Sequence, residues 1–301
     1  MNRSEAPLAA VTEAPRRKIK EMDVMVADVI TETPDTTTLV LFTGNDRLDY
    51  KAGHFLTIDP HQFSALDRFT AYLEDQKGKA EPPRAYSLTS APHEKHIAIT
   101  IKEEQYVSGT TLYPPLISPL LVRRTARGTR MVITGFTGPY VLPDDVERRT
   151  EHLVHVVAGS GAVPNFAMLK DNLKTGAKLR HTFICSNKTW DDICFRDALL
   201  DLEREHPDRL KVVHTLTRET DPGVFNPGVR RGRVSEALFK ELIPDPDSCL
   251  VYVCGPAINP WDRKVAAKAG TAPTPRFLET SIDYLQRIGV TNSRIKRESY
   301  G

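Results

Sequence analysis

The distribution of apolar residues changes near residue 144, and this change constrains the fold more than any other feature of the chain. The first part contains short β-type runs separated by turn signals: MVADVITET, TTTLVLFT, HFLTIDP, RAYSLTS, HIAITIK and TRMVITG. Runs of this length and spacing predict an antiparallel barrel or sandwich. The second part alternates the runs LVHVVAG, RHTFIC, LKVVHTL and CLVYVCG with helical segments predicted over 164–174, 194–205, 234–242 and 275–289. This alternation predicts a parallel sheet covered by helices, with its ligand site beyond the carboxyl ends of the strands.

Length and composition agree with two globular domains. At roughly 150 residues per domain, 301 residues suggest two units. We place them at 21–144 and 150–301, after a flexible tail at 1–20 and with a linker at 145–149. Lys and Arg number 41 against 39 Asp and Glu, and this near balance argues against a dedicated nucleic-acid binder.

Targeting and metal signals are weak throughout the chain. No apolar stretch is long enough to cross a bilayer and the N-terminus lacks the apolar core of a signal peptide, so we expect a cytoplasmic protein without a membrane span. Cys185, Cys194, Cys249 and Cys254 do not have the spacing of a metal or iron–sulfur site, so we expect no metal.

The first candidate motif is RAYSLTS at 84–90. On a strand, Arg84 and Tyr86 share one face and Ser87 lies on the other. A guanidinium can grip a diphosphate with two hydrogen bonds, an aromatic ring can lie against a ring system, and a hydroxyl can hydrogen-bond a ring nitrogen. An ordinary strand with an exposed arginine explains the motif equally well when it is taken alone. The small hydroxyl residues of VSGTTL at 107–112 follow, and their backbone N–H groups could hold a phosphate.

Two further motifs lie in the second part of the chain. VVAGSGAVP at 156–164 carries a strand into a small-residue turn, and Pro164 suits the first turn of a helix. A dinucleotide diphosphate could rest on the N–H groups of that helix, although the third glycine of GxGxxG is missing and a tight turn without a ligand fits as well. VYVCGP at 251–256 places Cys254 at the ligand edge of the sheet, where a buried cysteine is usually an inert apolar residue.

In this order and spacing, the four motifs resemble those of the ferredoxin–NAD(P)H reductase superfamily. Further matches are YKAGHF at 50–55, GFTGPY at 135–140, SNKTWDDI at 186–193 and ESYG at 298–301. The resemblance covers most of residues 22–301. It implies a six-stranded antiparallel barrel that binds FAD, followed by a five-stranded parallel sheet that binds NADH or NADPH. It also implies an NAD(P)H-dependent oxidoreductase in which hydride passes from the nicotinamide to the flavin between the two domains.

The resemblance implies roles for individual residues. Arg84 would bind an FAD phosphate, Tyr86 would pack on the flavin ring, and Ser87 would hydrogen-bond its N5 atom. Tyr300 would cover the flavin where the nicotinamide enters. The catalytic residues would be Ser87, Cys254 and Glu298. The other FAD-binding residues would be Ala85, Thr100, Lys102, Ser108, Gly109, Thr110 and Thr111. The nicotinamide nucleotide would contact Gly159, Ser160, Gly161, Ala162, Val163, Pro164, Asn187, Lys188, Arg218, Cys254, Gly255 and Pro256.

Two functions remain open. The first is a reductase that passes single electrons to a separate acceptor, such as a ferredoxin or an oxygenase component, because we expect no ferredoxin-like domain on this chain. The second is a flavin-bearing subunit of a larger complex that does not itself oxidise NAD(P)H. Cys254 and the terminal ESYG favour the first function.

The choice of coenzyme and the roles of three additional stretches are less constrained. Lys188 or Arg218 could hold the 2′-phosphate of NADPH, but Asp191, Asp192 and Glu219 would repel it, and this favours NADH. The stretches 61–83, 113–129 and 259–275 are expected to be surface excursions. The first of them includes a short amphipathic helix. The second includes three arginines that could dock an acidic partner: Arg123, Arg124 and Arg127.

Overall fold

A computed structural model describes residues 21–44, 48–107, 111–175 and 178–300. The first six strands form one antiparallel sheet in the order β4-β3-β6-β1-β2-β5. A bridge between Leu88 and Ile99 joins the two edges of this sheet, so it closes into the predicted barrel. Inward-facing aliphatic side chains such as Val26, Leu39 and Leu56 fill the barrel. The strands are β1 (Glu21–Thr33), β2 (Thr36–Phe42), β3 (Phe55–Ile58), β4 (Arg84–Ser87), β5 (Ile97–Lys102) and β6 (Arg130–Thr137).

The second sheet is parallel throughout and has the order β10-β9-β8-β7-β11-β12. The strand order reverses between β7 and β11, so the ligand crevice is expected beyond the carboxyl ends of these two strands. The sheet has six strands rather than the expected five, because a three-residue strand extends one edge. Its strands are β7 (His152–Ala158), β8 (Arg180–Asn187), β9 (Leu210–Leu216), β10 (Val229–Arg231), β11 (Leu250–Gly255) and β12 (Ile295–Ser299). The predicted fold class is confirmed.

Eight α-helices occur in the described part of the chain. The four helices predicted from periodicity are present as α4, α5, α6 and α8, with ends within two residues of those expected. Helix α7 lies in the stretch 259–275, which was expected to be a surface excursion and for which no helix was predicted. Asn259 and Asp262 form a capping box at its start, a signal that the periodicity argument overlooked. The helices are α1 (Asp67–Lys77), α2 (Ser118–Arg123), α3 (Val146–Arg149), α4 (Ala162–Lys174), α5 (Arg196–Glu205), α6 (Glu236–Leu242), α7 (Pro260–Lys268) and α8 (Phe277–Arg287).

Helix α4 connects the parallel sheet to the barrel side of the molecule. The ammonium of Lys170 lies 2.7 and 2.9 Å from the two carboxylate oxygens of Glu94. The amide of Asn165 donates to the Tyr140 hydroxyl over 3.1 Å, and both side chains are buried. These contacts hold the two domains against each other. No helix within the four described segments has the length and apolar character needed to cross a membrane.

Candidate active site

A cleft of about 1040 Å³ lies between the barrel and the carboxyl edge of the parallel sheet. Its walls bring together residues that are far apart in sequence. Tyr86 and Ser87 contribute from the barrel, Gly159 and Ser160 from the turn after β7, and Glu298 from β12. All four motifs contribute at least one residue to its walls. A cleft of this size can hold a large organic ligand.

The barrel wall is formed by β4, β5 and the segment that follows β5. Tyr86 pairs with Leu56 and Ser87 with Phe55 across β3 and β4. Two residues predicted to bind FAD have partners within the barrel: the Thr100 hydroxyl lies 2.6 Å from that of Thr38, and Lys102 donates to Asp35 over 2.8 Å. Predicted residues that line this wall are Ala85, Tyr86, Ser87, Thr100, Lys102 and Thr111. Ser108, Gly109 and Thr110 lie outside the described residues.

Arg84 does not line the main cleft. It lines an adjoining pocket of about 120 Å³ together with Lys102 and Ser118. One of its terminal nitrogens lies 2.5 Å from a carboxylate oxygen of Glu81, and the other donates to the Pro82 carbonyl. Arg84 therefore lies on β4 beside the main cleft, and its guanidinium already has a carboxylate partner.

The turn between β7 and α4 divides into a cleft-facing part and a buried part. Gly159 and Ser160 line the cleft, and Gly159 has a φ of +54°. Gly161 packs so closely on β11 that a Cβ atom there would lie 2.4 Å from the Cys254 carbonyl oxygen, so only glycine fits. Helix α4 begins without a side-chain cap. The predicted nucleotide-binding residues Ala162, Val163 and Pro164 are buried behind this turn.

Cys254 is fully buried and does not line the cleft. It belongs to an apolar cluster against which Tyr300 packs. Burial raises the pKa of the Cys254 thiol well above its usual value, and the nearby Glu298 charge raises it further. The thiol is therefore neutral at physiological pH. Gly255 is buried as well, whereas Pro256 lines the cleft.

Glu298 and Tyr300 place unpaired polar atoms at the cleft. Burial raises the pKa of Glu298 to about 7. Its Oε2 atom and the Tyr300 hydroxyl are buried and have no hydrogen-bond partner among the described residues. Ser87 faces the Tyr300 hydroxyl at a geometry outside that of a hydrogen bond. Buried polar atoms without partners are rare in proteins, so they indicate a place where a ligand's polar groups can bind.

The far end of the cleft carries three exposed cations. Lys188, Arg218 and Arg233 line it, and none of them has an ion-pair partner in the part of the chain that the structure describes. Backbone hydrogen bonds from Thr217 to Asn187 and from Arg218 to Lys188 fix the two loops that carry the first two cations. Sequence reasoning missed Arg233, which follows the short strand β10.

The three acids expected to repel a phosphate have different surroundings. The Glu219 carboxylate accepts hydrogen bonds from the backbone N–H groups of Trp190, Thr220 and Asp221. Asp191 lies 3.7 Å from Arg196. Asp192 alone of the three lines the cleft. Cations therefore outnumber acids among the charged side chains at this end.

The arginines at the end of α2 and just after it form a weaker basic surface than the sequence suggested. Arg123 pairs with Glu103 at 2.6 Å and Arg127 pairs with Asp28 at 2.5 Å. Arg124 is exposed, and no ion pair involves it within the described segments.

The residues of the cleft fit a flavin dinucleotide and a nicotinamide nucleotide. An aromatic ring and a serine hydroxyl lie on one wall, a small-residue turn at a helix start lies opposite, and unpaired polar atoms lie between them. No cluster of three or more His, Cys, Asp or Glu side chains suited to a metal occurs among the residues described.

Comparison with known proteins identifies one matching domain family and several relatives. Residues 156–258 match the family model of the oxidoreductase NAD-binding domain. Over 247 residues the chain is 27% identical to the ferredoxin reductase component of 3-ketosteroid-9-alpha-monooxygenase from Mycobacterium tuberculosis, with 78% of this chain and 58% of that protein covered. Over 244 residues it is 26% identical to a flavohemoprotein from Chromobacterium violaceum, with 80% and 52% covered. The chain thus spans about half the length of these curated relatives.

A solved structure shows the same fold over nearly the whole chain. The flavohem-like FAD/NAD-binding domain of nitric oxide dioxygenase from Vibrio cholerae O1 biovar El Tor superposes with a TM-score of 0.68 at 20% identity. The match covers 95% of this chain and 100% of that domain. The predicted resemblance is confirmed by this two-domain fold together with the nucleotide-binding family match.

Proposed function

We propose that this chain, which has the fold and the nucleotide-binding domain of the ferredoxin–NAD(P)H reductase superfamily, is an NAD(P)H-dependent flavoprotein reductase. In this proposal FAD binds to the barrel and NADH or NADPH binds to the parallel sheet. Electrons then leave one at a time for a separate acceptor protein, such as a ferredoxin or an oxygenase component.

The observation that carries the proposal is the convergence of both domains on one cleft. Tyr86 and Ser87 face it from the barrel, and Gly159 and Ser160 face it from the sheet. Hydride transfer needs two rings held almost in contact, so alignment is the main task of the protein. A flavin, when bound, supplies the chemistry, because it accepts two electrons together and releases them singly.

The barrel residues would bind and orient the flavin. The Tyr86 ring offers a flat apolar surface, and the Ser87 hydroxyl can donate or accept a hydrogen bond. Arg84 and Lys102, which share the small pocket beside the cleft, would hold the phosphates. The Ser108–Thr111 segment keeps its proposed role as a phosphate loop.

The residues at the sheet edge would bind the nicotinamide nucleotide. The first N–H groups of α4 and the exposed backbone of Gly159 and Ser160 suit a diphosphate. Gly161, Ala162, Val163 and Pro164 would support this turn from behind, and Asn187 would contact the ribose end. Gly255 and Pro256 would form the floor near the nicotinamide.

Glu298 would hold a proton at its Oε2 atom. A pKa of about 7 leaves this carboxyl partly protonated at neutral pH. It can therefore donate a hydrogen bond to a ligand in one state and accept one in the other. Cys254 would contact a ligand only after Tyr300 moves away from the apolar cluster that both residues share.

The cations at the far end favour NADPH more than the sequence did. The exposed side chains of Lys188, Arg218 and Arg233 can form charge-assisted hydrogen bonds with a 2′-phosphate. Glu219 was expected to repel a 2′-phosphate and so to favour NADH. Its carboxylate instead accepts hydrogen bonds from backbone N–H groups. We therefore propose that the chain uses NADPH at least as well as NADH.

The alternative function is a flavin-bearing subunit that does not oxidise NAD(P)H. The open turn at Gly159 and Ser160 favours the first function, because a subunit of the second kind needs no nucleotide site facing its flavin.

The test uses the purified chain alone. After reconstitution with FAD, it should oxidise NADPH or NADH with ferricyanide as the acceptor. A yellow protein without this activity would support the alternative. A colourless protein that takes up no FAD on titration would refute both functions.

A further inference from the structure

The stretch 61–83, which the proposed function leaves without a role, places a buried carboxylate beside Arg84. Glu81 is 3% exposed, although it follows an exposed turn at the end of α1. A buried carboxylate is costly unless it is paired. Both oxygens of Glu81 have partners: Oε1 accepts from the Lys77 ammonium, and Oε2 lies 2.5 Å from a terminal nitrogen of Arg84.

These contacts hold the Arg84 guanidinium from one side. One terminal nitrogen donates to Glu81 and the other to the Pro82 carbonyl. The guanidinium has five N–H donors in a rigid plane, so two contacts fix its orientation and leave donors free. About a third of the Arg84 side chain, 32%, remains accessible, and it lines the small pocket that opens beside Tyr86 and Lys102.

The position of Glu81 is itself fixed by the excursion. Its backbone N–H donates to Glu74 over 2.8 Å. Glu74 lies 2.8 Å from His61, which lies 2.6 Å from Asp59 at the end of β3. A continuous polar chain thus runs from one barrel strand, through α1, to the residue that holds Arg84 on the next strand.

We propose that Glu81 is a positioning residue that aims Arg84 at a phosphate of the flavin dinucleotide. The inference rests on the proposed function and extends it to the excursion. Removal of the carboxylate would leave the Lys77 and Arg84 cations side by side without their shared anion. Both cations contact the same carboxylate, so without it they would repel each other and the guanidinium would leave its aligned position.

The test compares two flavins that differ in the group that Arg84 meets. FAD carries phosphates and riboflavin carries none. If the Arg84 guanidinium is no longer oriented, the affinity for FAD should fall and the affinity for riboflavin should not change. Dissociation constants are measured by flavin fluorescence quenching on the full-length apoprotein. The variants are Glu81→Gln, Arg84→Ala and the double variant. Asp75→Asn is the matched control, because it removes one exposed negative charge from α1, within the same stretch 61–83.

We expect Glu81→Gln to weaken FAD binding roughly tenfold or more, as outer-shell partners of binding residues typically do. Riboflavin binding should stay within about twofold of the wild type. The double variant should bind FAD no more weakly than Arg84→Ala, because Glu81 acts only through Arg84. Asp75→Asn should match the wild type for both flavins.

Several results would overturn the inference. Unchanged or tighter FAD binding by Glu81→Gln would show that the carboxylate does not aim Arg84. Equal loss of FAD and riboflavin would show a purely structural role, and additive losses in the double variant would show independent action. If Glu81→Gln does not fold, the pair Lys77→Met with Glu81→Gln restores the charge balance and is judged by the same flavin ratio. A wild-type chain that binds FAD no more tightly than riboflavin would refute this inference alone, whereas one that takes up no FAD would also refute the proposed function.

Discussion

Four buried histidines in the parallel sheet make the stability of this chain sensitive to mild acid. They lie on three adjacent strands: His152 and His155 on β7, His181 on β8 and His214 on β9. Burial lowers the pKa of His152, His155 and His214 to about 4, and that of His181 well below its usual value. The folded state therefore keeps these imidazoles neutral.

The sign of the effect follows from proton counting. Between about pH 6.5 and about pH 4 the unfolded chain binds protons on these histidines and the folded chain does not, so stability falls as pH falls. With pKa values of about 6.5 unfolded and about 4 folded, His152, His155 and His214 each cost about 2 kcal/mol at pH 5 relative to pH 8. Glu298, whose pKa burial raises, acts in the opposite direction and offsets about one histidine. His152, His155 and His214, less the offset from Glu298, give a net loss of about 4 kcal/mol, which is a large part of the stability of many domains, about 5–15 kcal/mol.

Substitution of His214 isolates the contribution of one histidine to this loss of stability. Both of its ring nitrogens are buried without a hydrogen-bond partner among the described residues, so His214→Phe removes a titrating group without breaking a bond. Urea unfolding, followed by circular dichroism at pH 8 and pH 5, should show that this variant loses about 2 kcal/mol less than the wild type between the two values. His206→Gln, outside the sheet, is the control and should lose as much as the wild type. Equal losses in His214→Phe and the wild type would refute the reasoning.

Four further outcomes are expected. Glu298→Gln should slow NAD(P)H-dependent flavin reduction about a hundredfold in single-turnover measurements and flatten its pH profile near pH 7, because the variant cannot change protonation. Arg218→Ala with Arg233→Ala should lower kcat/KM for NADPH roughly tenfold or more while that for NADH changes little; equal losses would exclude a 2′-phosphate contact. Asn165→Ala should cost about 2–3 kcal/mol of unfolding free energy in urea titrations, because the Tyr140 hydroxyl loses its buried donor. Arg124→Glu should weaken reduction of an acidic acceptor protein at low salt and leave ferricyanide turnover intact; an unchanged salt dependence would place the docking surface elsewhere.

The fold was predictable because its signals are local and repeated. Short β-type runs separated by turn signals indicated the strands of the barrel, and the alternation after residue 144 indicated the parallel sheet and four of its helices. The barrel closes through the bridge between Leu88 and Ile99. No local sequence pattern predicts this pairing. The strand Val229–Arg231 has only three residues, too few for a period to appear.

The candidate site was predictable only where a motif carries it. Tyr86, Ser87, Gly159 and Ser160 all line the cleft, as expected from their motifs. Burial of Cys254 beneath its neighbours could not be read from its place at the end of a strand, since that depends on how Tyr300 packs. Glu81 and Arg84 are three residues apart, so their ion pair could have been predicted from the sequence. Nothing in the sequence indicated that Glu81 would be buried.

One buried amide side chain joins the two walls of the cleft. Asn165 donates to the Tyr140 hydroxyl on the barrel side and, over 3.4 Å, to the Gly161 carbonyl in the turn between β7 and α4. Its side-chain carbonyl oxygen lies 2.9 Å from Nδ1 of His155, a residue of β7. The same side chain therefore contacts the barrel, the turn and the strand that leads into the turn. Asn165 does not line the cleft, yet its contacts can set the distance across it, and the proposed transfer between two rings is sensitive to small displacements.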